Sequence, residues 1–150
     1  MAALEDRRYR DEAEIAALVG GFEDCTLPFA RWTHEAHLTV AVWYLARLEV
    51  GEATERIRAG IQRYNLANGV VQTPQRGYHE TITRFYIWAV RRYLAESEAT
   101  VSLLELTNGL LTGPYGDRRF PLDYYSREHL MSWEARTGWV EPDRKPLEPL

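Results

Sequence analysis

Apolar residues recur three and four positions apart along most of this chain, and nowhere do apolar and polar residues alternate long enough to make a convincing strand. Residues at that spacing share one face of a helix, and each such face must be buried against another element. The pattern therefore predicts an all-α, single-domain helical bundle of about six helices. A length of 150 residues suits one hydrophobic core, so 1–150 is read as one globular domain, with 1–10 and 139–150 as surface tails.

Start and stop signals divide the stripes. Asp11, with Glu14 three residues on, can cap a first helix whose apolar stripe is Ile15, Leu18, Val19 and Phe22, with Gly20 and Gly21 weakening its end. A loop from Cys25 to Trp32 leads to Thr33, the expected N-cap of a second helix to about Leu48, and Gly51 closes the following turn. Glu52 to Asn68 reads as the third helix, with Asn68-Gly69 as its stop. Thr73-Pro74 opens the expected fourth, with proline at the first helical position, running to about Glu96. A shorter fifth begins after Ser97 or Thr100 and ends at Asn108-Gly109. Residues 112–125, TGPYGDRRFPLDYY, read as an irregular ordered loop, and Ser126 caps a last helix to about Thr137. The proline-rich tail after Gly138 is expected to lie extended.

Composition narrows the function classes. A net charge of −4 and an isoelectric point near 5.6 provide no basic field for nucleic acid or anionic lipid, so neither is expected as a partner. No run reaches the length of a membrane span, and the N-terminal MAALEDRRYRDEAE has no stretch that reads as a signal peptide. The one cysteine, Cys25, has no internal disulfide partner and reads as a small apolar filler; the expected setting is bacterial and cytoplasmic.

The histidines carry the chemical reading. His34 shares a helical stripe with Leu38, Ala41, Leu45 and Leu48, and His37 lies on the same side; His79 heads the stripe Ile82, Tyr86, Ala89 and Tyr93. Short connections make the second and fourth helices parallel, which brings their N-terminal turns together at one end of the bundle. Three neutral imidazoles with an open position suit one divalent transition metal ion, with His34, His37 and His79 as ligands and Glu80 as fourth ligand or acid/base. Trp32, Arg76, Tyr78 and Tyr86 are the expected walls of a small-molecule pocket. The expected function is then a metal-binding protein, in its sharpest form a metal-dependent enzyme acting on a small molecule.

Other readings stay open on the same residues. Buried histidines near helix ends often only bond backbone carbonyls, and a helix N-terminus favours anions over cations. Arg31, Arg76 and the imidazoles can instead form a metal-free pocket for a small anion, and a third alternative is a structural or homo-oligomerising helical protein without a catalytic site. His129, far along the chain, is left out of the site.

The segments WTHEAHL (Trp32 to Leu38), IxxYN (Ile61 to Asn65), GYHETIT (Gly77 to Thr83) and YYSRE (Tyr124 to Glu128) together resemble an uncharacterised bacterial family of small helical proteins, over about Phe22 to Pro142. That family has no established activity, so the resemblance implies no reaction, substrate or cofactor. It implies only that the marked segments form a unit.

Overall fold

In the computed structural model, which describes residues 9–150, seven α-helices and no strand occur among the described residues. They are α1 (Glu12–Glu23), α2 (His34–Leu45), α3 (Val50–Ala67), α4 (Glu80–Glu96), α5 (Leu103–Thr112), α6 (Arg127–Leu130) and α7 (Trp133–Thr137). Each opens with a side chain that accepts a backbone N–H: Asp11, Thr33, Glu49, His79, Ser102, Ser126 and Ser132 in turn. Such a cap contributes about 1 kcal/mol, so the boundaries are written into single residues.

α2 is the central element. Ala36, Leu38, Thr39, Val40, Ala41, Val42 and Tyr44 are all buried, so the helix is covered nearly all round. α1, α3, α4 and α5 pack against it. Aromatic rings fill the second half of the core: Phe85 touches Tyr86, Trp88, Phe120, Tyr124 and Tyr125 at centroid distances from 5.3 to 6.2 Å. No helix among the described residues is long and apolar enough to cross a membrane.

Several boundaries differ from the sequence expectation, each for a local reason. α4 begins at Glu80 and not at Thr73-Pro74. Residues 73–76 form a tight turn closed by mutual backbone bonds between Thr73 and Arg76, and Gly77 sits at φ +102°, outside any helix. Gly51 lies inside α3, where Glu49 caps its N–H. α5 starts after Ser102 and runs through Asn108-Gly109: the Asn108 side chain clamps the Tyr9 backbone at both N–H and C=O, and Gly109 makes room for the Tyr93 hydroxyl. α1 continues through Gly20 and Gly21, and the expected last helix is two short ones broken at Ser132. The expected N-terminal tail falls mostly on residues 1–8, outside the described ones.

The segments without helix are tied down. Residues 113–123 hold two 3₁₀ turns, Pro114–Gly116 and Phe120–Asp123. The extended tail is pinned where Arg144 N–H donates to the Tyr124 carbonyl at 2.8 Å, Trp88 Nε1–H to the Glu148 carbonyl at 2.9 Å, and Ser126 to the Asp143 carboxylate.

Candidate functional site

α2 and α4 pack side by side, and their first turns enclose, with α3, a cavity of about 250 Å³. Its floor is aliphatic: Leu38, Ala41, Ile57, Ile61, Ile82 and Ile87. Its polar groups are His34, His37, Thr83, Tyr86 and Arg118, and Trp32 closes one side. A second chamber of about 300 Å³ shares Trp32, His37, Ile61, Ile82 and Thr83 with the first and adds Phe29, Asn65, Arg76, Tyr78 and His79. The two chambers together thus gather His34, His37, His79, Trp32, Arg76, Tyr78 and Tyr86, and leave out Glu80 and Arg31.

Hydrogen bonds fix the state of each imidazole, because a carbonyl can only accept. His37 Nδ1–H donates to the Thr33 carbonyl at 2.7 Å, which leaves Nε2 as a bare acceptor. His34 Nε2–H donates to the Gly116 carbonyl at 3.1 Å, which leaves Nδ1 as the acceptor. Neither remaining nitrogen has a hydrogen-bond partner among the described residues. The plane of His37 is set by a stack: its ring lies 3.8 Å from Trp32, which lies 4.8 Å from Phe22. His34 meets the edge of Tyr86 at 5.2 Å. Burial pulls the His37 pKa down to about 4 and lowers that of His34, so both rings are neutral at pH 7.

His79 is built differently. Its Nδ1 accepts the Ile82 N–H at 3.1 Å as the cap of α4, and its Nε2–H donates to the Leu130 carbonyl at 2.8 Å. With both nitrogens committed, and burial lowering its pKa, the ring has no lone pair left for an ion. In this arrangement His79 offers no nitrogen to the ion expected from the helix stripes, and among the described residues no group of three or more His, Cys, Asp or Glu is arranged to hold a metal. Helical spacing points to the helix ends that line these chambers. It gives no sign that His79 precedes α4 and caps it.

Glu80 is likewise engaged. Arg58 donates to both its oxygens, from Nε at 3.0 Å and Nη2 at 2.6 Å, and Tyr78 donates its hydroxyl at 2.6 Å. Burial raises the carboxyl, but these donors outweigh it and hold the pKa below the usual glutamate range. A carboxylate so held is a clamp between α3 and α4 and a poor proton donor at neutral pH. Tyr78 is shifted the other way, first by burial and then by its bond to Glu80. His129, left out of the site at the sequence level, donates to the Glu141 carbonyl and lines neither chamber.

Arg118 is a cavity-wall residue to which no sequence pattern points. It sits in the 113–119 segment, and two cavity-wall side chains fasten that segment over the cavity: His34 at the Gly116 carbonyl and the Tyr86 hydroxyl at the Asp117 carbonyl, 2.9 Å away. Turn composition alone gives no hint of this, because the fastening groups lie about 80 and 30 residues upstream. Comparison of the chain with protein-family models, with curated proteins and with solved structures gives no match.

Proposed function

We propose that this protein binds a small organic molecule in the cavity between the first turns of α2 and α4. The observation that carries the reading is the pair of neutral imidazoles whose protons are committed to backbone carbonyls, leaving unpartnered acceptors at His34 Nδ1 and His37 Nε2 beside one aliphatic cavity. Concave, mostly apolar sites with a few convergent polar groups are where small molecules bind. A volume near 250 Å³ lies just below the usual range for such sites, which suits a single ring or short chain rather than a nucleotide. The ligand donates an O–H or N–H to His37, whose ring is held in place by Trp32 and Thr33.

Phenol, a neutral donor on an apolar body, tests this directly. It should perturb the backbone amide resonances of residues 34–41 and 82–87, and Ala41→Leu, which fills the floor, should abolish the effect while the fold is kept. Perturbations spread over the surface and unchanged by Ala41→Leu would reject the reading.

A second reading rests on the same two lone pairs: His34 and His37 as two protein ligands of a divalent transition metal, with the remaining positions taken by a bound small molecule or water. Elemental analysis of protein purified without an affinity tag tests it. Stoichiometric metal that is lost in His34→Ala and His37→Ala but kept in His79→Ala supports it, and metal-free protein that takes up neither Zn²⁺ nor Mn²⁺, Fe²⁺ or Cu²⁺ rejects it.

A further inference from the structure

The charge around the cavity runs against the charge of the chain. The protein carries a formal net charge of −4, yet no Asp or Glu lines the cavity and its one charged wall residue is Arg118. That guanidinium is exposed and forms no ion pair with any described carboxylate. Its position does not depend on a free loop, since Gly116 and Asp117, the two residues before it, are each bonded through their carbonyls to a cavity-wall side chain. Glu35 and Asp117 line an adjoining pocket with Arg118 and Arg119, and neither lines the cavity.

On the reading that this cavity binds a small molecule, we propose that the ligand is a small carboxylic acid: its carboxylate pairs with Arg118 at the mouth, its apolar body lies among Leu38, Ile57, Ile61 and Ile82, and a hydroxyl or N–H donates to His37 Nε2. Three features select this class over its neighbours. A planar guanidinium matches a carboxylate with two parallel hydrogen bonds. A cation would meet no carboxylate in the cavity. A phosphate monoester, with close to two charges and three strong acceptor oxygens, would find one arginine and a wall of isoleucines. The lone pairs of His34 and His37 repel a second anionic group but accept a donor, so the far end of the molecule carries a hydroxyl or N–H.

The three hydroxybenzoate isomers, each paired with its neutral hydroxybenzamide, form the test, measured as dissociation constants by titration calorimetry on the full chain at low salt. At least one isomer should bind about tenfold more tightly than its amide, the size of effect expected of a charge-assisted pair at a partly desolvated mouth. Arg118→Gln should erase most of that difference by weakening the acid far more than the amide, whereas Arg119→Gln, next along the chain but outside the cavity wall, should leave both unchanged. Circular dichroism on both variants checks that the fold is kept. Amides that bind as tightly as the acids for all three isomers, or an acid preference that survives Arg118→Gln, would overturn the carboxylate inference while leaving small-molecule binding intact. If neither acids nor amides bind, and phenol also fails to perturb residues 34–41 and 82–87, the cavity reading itself falls and this inference with it.

Discussion

At position 79 an imidazole does the work usually given to Ser, Thr, Asp or Asn, accepting a backbone N–H at the start of α4 while its other nitrogen ties α4 to the end of α6. His79→Ala removes the cap and strands the Leu130 carbonyl, so urea unfolding should show a loss of about 2 kcal/mol, with no change in phenol or hydroxybenzoate binding. His34, His37 and His79 all have their pKa lowered, chiefly by burial, while the unfolded chain titrates near the ordinary histidine value. The unfolded state then binds more protons below about pH 6.5, so stability falls as the solution is acidified from there toward His37's value of about 4. Urea titrations from pH 7.5 to 4.5 should show this decline, and His37→Gln, which cannot titrate, should make it shallower. A flat profile in the wild type would mean that these rings are not buried as neutral groups.

Among the elements, α4 depends on the turn that precedes it. Gly77 stands at φ +102°, and a Cβ there would lie 2.5 Å from the Gln72 Oε1 and 3.1 Å from the Gln72 Cα. Gly77→Ala should therefore cost about 1–3 kcal/mol in thermal or urea unfolding. The Arg58–Glu80–Tyr78 clamp holds α3 to α4 through partly buried groups, and Glu80→Ala, which leaves Arg58 without that partner, should destabilise by about 1–3 kcal/mol and leave ligand affinity nearly unchanged. What the sequence revealed follows the same division. Asp11, Thr33 and Ser126 were legible as caps because an N-cap is a local contract between residues three apart. The start of α4 was not, because Pro74 is equally at home in the turn it occupies and His79 is a rare cap. Asn108-Gly109 reads as a stop, but long-range partners, Tyr9 and Tyr93, account for both residues.

For the molecule as a whole, helical periodicity and short connections were enough to bring the first turns of α2 and α4 together, and with them seven of the eight candidate site residues around two adjoining chambers. They did not reveal which ring nitrogens are left without a partner, since that depends on carbonyls at Thr33, Gly116 and Leu130, nor that the 113–119 segment is fastened beside the cavity and brings Arg118 to its wall. The central claim is this division of labour, with His34 and His37 offering bare nitrogens to the cavity and His79 offering none. Long-range proton–nitrogen spectra of the imidazole rings at pH 7, recorded with and without phenol, test it most directly. The account predicts protonated Nε2 on His34 and His79, protonated Nδ1 on His37, and phenol-induced shifts at His37 Nε2 with His79 unmoved. A charged His37 at pH 7, or phenol shifts at His79 with none at His37, would contradict it.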